Sequence, residues 1–408
     1  MIEINFTKLV LKPRFIWGGF LIRISKKSIL LFVVILLILL INISAISAQN
    51  NDSASVKASD SQVLNNQYNK NSFSSLYNDI KEDSNSVVYL THDYKFDSSV
   101  DKSLKKGIYI KKSIKIVGNG HSIDGNGKSR ILRIAPNCKV VLENVVFKNG
   151  YIKGENGAAI LLGSNSKLTI KNCVFKNNVV YNSNGGAIAC NHKNSIIIQK
   201  SKFYNNKAIR NSNKAWPNDK KGMGGAIIVN IGSTFKLYDS VFRGNKAYLA
   251  TVLVMSHTDY GTKITTTYVK NCLFEKNVAT IYSAFYLDEY GKGTFLNTKF
   301  KNNKAKQGGT LILDASKATV KKCSFEKNRG NIGSGICVFK FNSKVSQVKI
   351  IKCNFIKNYA KLAGGAIYSE NGRIHISKSK FISNKPSSSR GSIFSQHGKV
   401  KVVSSVIK

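Results

Sequence analysis

One side chain returns along most of this sequence with the same neighbours each time, and that return restricts the fold more than any other property. Phe147, Phe175, Phe203, Phe242, Phe274, Phe300, Phe325, Phe355 and Phe381 follow one another at intervals of 25 to 39 residues, and Ile407 continues the series. Three residues after the Phe stands Asn in every case but the first, from Asn178 to Asn384. Two residues before it the side chain is short (Cys173, Ser201, Ser240, Cys272, Thr298, Cys323, Cys353), and five before it is always apolar, from Leu142 to Ile376. A second motif, Gly-Gly-Ala-Ile, follows at 185–188, 224–227 and 364–367 and is relaxed at 308–311 and 390–393. Glycine there suits a tight bend with φ > 0 feeding the next strand. A unit this short holds two or three strands and cannot bury its apolar face alone, so copies must stack.

The alternation in Val348-Lys349-Ile350 and Ile374-His375-Ile376 has a period of two, which excludes helix-based repeats. A β-propeller needs about 40 to 45 residues per blade, more than most intervals here provide. The expected fold is therefore all-β: a single-stranded parallel β-helix of about ten coils, each rising ~4.8 Å, with Phe on Phe and an asparagine ladder. It is expected to be right-handed because parallel crossovers are. The repeat domain is expected over 85–408.

Ahead of it, Lys8, Lys12, Arg14, Arg23, Lys26 and Lys27 precede an uncharged apolar run from Ile29 to Ile43 and then small residues. That layout predicts a signal peptide or an N-terminal membrane anchor over 1–48, and hence a chain outside the cell or on its surface. A Ser/Asn-rich linker follows over 49–84, with a capping helix predicted near 72–81 from Ser72 and the spacing of Phe73, Leu76, Tyr77 and Ile80. The formal charge is +42; removing residues 1–48 takes away six Lys/Arg and Glu3 and leaves about +37. Such a body seeks polyanions, and lysines recur on both sides of the Phe, Lys171, Lys200, Lys270, Lys352 and Lys378 before it and Lys176, Lys276, Lys327 and Lys357 after it. No nucleic-acid recognition module accompanies them. Seven cysteines at repeat spacing read as buried thiols rather than a disulfide framework, although Cys323 and Cys353 fall on neighbouring coils. Neither a metal-ligand spacing nor a cofactor motif stands out, and no cofactor is expected.

The paired FxxN and GGAI motifs resemble the repeats of chlamydial polymorphic outer-membrane proteins and, more closely, the β-helix regions of adhesin-like proteins from methane-producing archaea. The likeness covers roughly residues 85–408, and the opening Ser113-Ile114-Lys115-Ile116-Val117-Gly118-Asn119-Gly120 is similar to the first coil of those archaeal proteins. The resemblance implies a surface-displayed β-helix of the pectin-lyase-like kind with an adhesive role, binding cell-surface glycans or anionic wall polymers. With no cap evident after Ile407, end-to-end self-association is a further expectation.

Carboxylates are scarce, which argues against an enzyme. The alternative is a polysaccharide-active lyase or glycoside hydrolase, whose candidate acids are Glu289 and Asp314. Alignment on Gly-Gly-Ala-Ile places these one rung apart, with Lys340 between Asp314 and Glu370. The polygalacturonase Asp-Asp and Gly-His-Gly motifs are absent. Two insertions are the candidate binding loops: one carries Lys214, Trp216, Lys220 and Lys221, the other His257 and Tyr260, with Tyr290 at the same corner one coil later.

Overall fold

The computed structural model describes residues 71–211, 220–256, 264–387 and 390–408, together with a two-residue antiparallel pairing of Ile16–Trp17 with Phe20–Leu21. The chain separates into two units, 1–65 and 66–408. The expected signal segment, most of the linker, Lys214, Trp216, His257 and Tyr260 lie outside the described residues.

The larger unit is a right-handed parallel β-helix of about eleven turns. A representative coil runs through four strands. Lys167–Lys171 belongs to an approach sheet, Val174–Lys176 to a phenylalanine sheet, Val179–Tyr181 to a short-strand sheet and Ile188–Cys190 to a glycine sheet. Each pairs in parallel with its counterpart one coil on, in strict register: Phe147 with Phe175, Phe175 with Phe203, and so on to Phe381 with Ile407. Three of the sheets reach twelve strands. The Phe ruler misses the first two rungs because Tyr94 and Ile123 occupy that column there.

Inside the coil the stacked rings lie 4.5 to 5.0 Å apart, within 11° of parallel. The asparagine beside each ring supplies the polar half of the same device. Asn206 Nδ2 donates to the Phe175 carbonyl (3.0 Å) and to Asn245 Oδ1 (3.0 Å), and its backbone N–H donates to that Asn245 oxygen as well (3.0 Å). The amides of this ladder are thereby paired with one another and with the chain, which a solenoid needs because its corner cannot reach water. Gly150 starts the ladder in place of Asn: a Cβ there would lie 2.4 Å from the Ala158 carbonyl oxygen. The short side chains two before each Phe form a second ladder, Ser201 N–H to Ser240 Oγ at 3.1 Å and Cys353 N–H to Ser379 Oγ at 3.0 Å. All seven cysteines are buried and unbridged. Burial pushes the thiols of Cys173, Cys190 and Cys272 up to about 12, so they stay protonated and inert.

The corners on either side of the Phe strand each turn on one residue in the left-handed region. Asn172, Asn177, Asn205 and Asn271 fill several of these positions, but so do Lys200, Lys276, Lys327, Lys352, Lys357 and Lys378, with φ between 47° and 55° for these lysines. These six of the lysines that the sequence assigns to flanking stripes are thus corner residues, whereas Lys171, Lys176 and Lys270 end strands. A lysine has no local polar group to favour this conformation, whereas Asn does. Lys352→Asn is expected to raise stability by up to about 1 kcal/mol, read as a higher urea midpoint at unchanged slope.

At the N-terminal end a helix, α1 (Phe73–Glu82), closes the barrel of the solenoid. Ser72 caps it through Oγ, which accepts from Ser75 N–H, and Phe73, Leu76 and Ile80 enter the core of the first coil. Asp101, fully buried, ties the two together by accepting from the backbone N–H groups of Phe73, Ser74 and Asp97. In the last rung Val402, Val403, Val406 and Ile407 are exposed.

The glycine sheet differs from the others in being buried on both faces, as in Ile227–Val229 and Phe285–Leu287. Its glycine pair explains the approach to it. Gly185 has φ +72°, and a Cβ on Gly186 would come within 2.0 Å of the Gly225 carbonyl oxygen in the next coil. The first glycine supplies the bend and the second the clearance.

Candidate active site on the glycine sheet

In each three-residue strand of this sheet the outer side chains of the triplet enter the solenoid and the middle one points away from it. Those middle residues are Ile228, Leu253, Tyr286, Ile312, Cys337, Tyr368 and Phe394, a column of apolar and aromatic groups. Met223, Leu249, Ala250, Ile281, Tyr282, Ile332, Phe339 and Ala363 pack over it as a second layer. The sequence signal for this layer was an unbroken apolar run, as in Phe285-Tyr286-Leu287, where a half-exposed strand would alternate.

Register sets which acids meet. Phe285 pairs with Leu311 and Leu287 with Leu313, so the next position brings Asp288, not Glu289, beside Asp314. In the following coil Asp314 pairs with Phe339, and Lys340 pairs instead with Val345 in a local hairpin. The expected Glu289–Asp314 pair and the Lys340 between Asp314 and Glu370 are therefore corrected by one residue each. Ser283-Ala284-Phe285 replaces Gly-Ala-Ile in that coil, which hid the alignment, and a slip of one moves a side chain to the opposite face. Glu289 is buried at 7% exposure, and Tyr290 sits half-buried with the Lys344 ammonium 4.5 Å from its ring centre. Lys220 and Lys221 are exposed, and the Lys220 carbonyl accepts from Asn184 Nδ2 at 2.9 Å.

Asp314 is a strongly perturbed carboxyl. Its Oδ2 accepts from the Tyr286 hydroxyl at 2.9 Å, while Oδ1 is sealed from solvent with no hydrogen-bond partner among the described residues. Burial lifts its pKa from the ordinary 3.8 to about 6; the Tyr286 bond opposes that rise and the charge of Asp288 adds to it. Burial also raises Tyr282 and Tyr286 well above the usual phenol range, so both remain neutral donors. Aromatic rings continue from this point along the axis. Tyr282 meets Tyr286 edge-on at 5.3 Å and Phe339 at 6.1 Å, Phe339 meets Tyr368 at 6.1 Å, and Tyr368 meets Phe394 at 5.9 Å. Tyr368 donates to Gln396 Oε1 at 3.3 Å, and the Arg390 guanidinium lies 5.0 Å from the Phe394 ring. The result is an aromatic shelf edged by Asp288, Asp314, Glu370 and Gln396. Tyr286 and Tyr368 are buried, whereas Tyr282, Phe339 and Phe394 are half-buried and expose part of their rings beside these polar groups. Among the described residues no three His, Cys, Asp or Glu side chains converge as metal ligands.

A family model described as a right handed beta helix region matches residues 225–407. In sequence, the chain is 29% identical over 141 residues to the metabotropic glutamate receptor-like protein R of Dictyostelium discoideum, a stretch that is 34% of this chain and 8% of that protein. Among solved structures it is similar to the periplasmic alginate epimerase AlgG at 10% identity and a TM-score of 0.27, over 82% of this chain and 88% of the other. The expectation that the chain is not an enzyme does not stand: it rested on the scarcity of acids, which alone does not exclude catalysis, and the solved structure matched is that of an enzyme. At that TM-score the likeness carries no argument about reaction or substrate.

Proposed function

We propose that this chain is an exported polysaccharide-active β-helix that cleaves glycosidic bonds on the glycine-sheet shelf, with Asp314 as general acid and Asp288 as its partner carboxylate. The observation that carries the reading is a carboxyl whose pKa is raised to about 6 beside a second acid on the adjacent rung. A buried carboxyl held protonated toward neutral pH suits the acid role. Tyr286 occupies Oδ2 of Asp314, which leaves Oδ1 to carry the proton toward a glycosidic oxygen. Because Oδ1 is sealed in the free chain, the sugar must displace what covers it. Rungs are separated by ~4.8 Å, close to the roughly 5 to 5.5 Å between the carboxyls of retaining glycosidases, so cleavage with retention at the anomeric carbon is expected. The half-buried rings of Tyr282, Phe339 and Phe394, spread along the axis, supply stacking for a polymer rather than a single sugar. Export is supported by the basic segment followed by the apolar run from Ile29 to Ile43.

Incubating the chain with a panel of plant, algal and microbial wall polysaccharides tests the proposal. New reducing ends, with the product anomer unchanged by proton NMR, are expected on at least one glycan. Unsaturated ends would instead assign a lyase step. Binding to a glycan without release of ends would leave the shelf an adhesive surface and end the catalytic reading.

A further inference from the structure

We propose a second glycan site, on the outer face of the approach sheet in the last four coils, that holds a linear polysaccharide carrying one carboxylate per sugar. Two columns run along the axis there. Lys317, Gln347, Arg373 and Lys399 form the first, and Thr319, Lys349, His375 and Lys401 the second, each residue pairing with the next in register. Between the columns the chain leaves a shallow groove of about 650 Å³, lined also by Ala318, Val348, Ile374 and Val400, whose side chains turn to the core. Lys317, Lys349, Arg373, Lys399 and Lys401 are all exposed, and no ion pair engages any of them among the described residues. At the other end of the same sheet the column of Thr319 holds Val141, Thr169 and Ile197 after Lys115, which Glu143 neutralises at 3.0 Å, and the column of Lys317 holds Lys139, Lys167 and Ser195. Exposed cations thus occur along the sheet but are densest in the last four coils, where both columns carry them.

Stacked like charges repel one another, so an unneutralised set of this kind works against the fold unless an anion lies across it. Cationic side chains repeating at ~4.8 Å along a straight axis match a polymer whose charges repeat once per extended sugar. Thr319 and Gln347 interleave neutral donors and acceptors for hydroxyl groups. No Phe, Tyr or Trp lines the groove, which removes the stacking platform that single-stranded nucleic acid requires. The site lies on a different sheet from Asp314 and does not depend on the chemistry proposed there.

The test uses the full chain carrying Asp314→Asn, so that turnover does not enter, with polygalacturonate as probe. The triple variant Lys349→Gln, Arg373→Gln, Lys401→Gln is expected to bind about tenfold or more weakly and with a shallower salt dependence. A control triple at Lys202, Lys246 and Lys304, exposed on other sheets, removes the same charge and is expected to leave binding largely intact. Equal weakening by both triples would reduce the attraction to net charge and overturn the groove. Unchanged binding in the first triple would do the same. Single-stranded DNA bound as tightly as polygalacturonate and lost in the same variants would overturn the polysaccharide assignment.

Discussion

Asp314→Asn is expected to lower glycan cleavage by roughly 10²- to 10⁴-fold, the loss that follows removal of a positioned general acid. The same change is expected to stabilise the chain at neutral pH. In the folded chain the carboxyl titrates near 6 against an ordinary 3.8, so the native state holds the proton more tightly than the unfolded one. Below about pH 4 both states are protonated and burial of the group costs little; as pH rises toward 6 the unfolded chain ionises first and stability falls. Above that the deficit is constant, at most about 3 kcal/mol for a shift of this size. Urea denaturation at pH 8 should therefore favour the asparagine variant, with the gap closing by pH 3.5. Activity of the unaltered chain should decline as pH rises through about 6, since the acid must arrive protonated. A variant as active as the parent, or one whose advantage is the same at both pH values, would remove Asp314 from the mechanism.

Asn277→Ala should be the most damaging single change inside the solenoid, at roughly 3 to 5 kcal/mol. The Asn277 amide meets four obligations. Its oxygen accepts from the backbone N–H and Nδ2 of Asn245, both at 3.0 Å, and its Nδ2 donates to the Phe242 carbonyl at 2.9 Å and to Asn303 Oδ1 at 3.0 Å. Alanine leaves all four partners short in a site with no solvent exposure. Asn277→Asp keeps the shape but brings only acceptors to two groups that need donors, and is expected to be at least as harmful. The measurement is the urea midpoint, read beside a change at an exposed residue such as Lys276.

The inward columns were legible in the sequence because the interior permits so few choices. A ring, a short side chain and an amide must each fall on their like, and Phe274, Cys272 and Asn277 announce this at fixed offsets. The candidate site was legible only in part. Asp314 was singled out, but its neighbour on the adjacent rung is Asp288 rather than Glu289, because Ser283-Ala284-Phe285 breaks the glycine pattern used for alignment, and alternation magnifies a single-residue error into the wrong face. Tyr282, Phe339 and Phe394 were not found, since their partners come from neighbouring coils and turns and no local period marks them. Corner lysines such as Lys352 were misread for a related reason: charge suggests a solvated stripe, while the left-handed turn beneath is invisible in the residue type.

The ladder also decides where novelty can enter. Asn206 bonds to Asn245, 39 positions later in the sequence, with the same geometry that joins Asn303 to Asn328, 25 positions later. Extra residues are absorbed entirely at the margins of the glycine sheet, and the frame on the far side never registers their arrival. New recognition segments can therefore be spliced beside the shelf, lengthened or exchanged, while the scaffold goes on holding them at a fixed pitch.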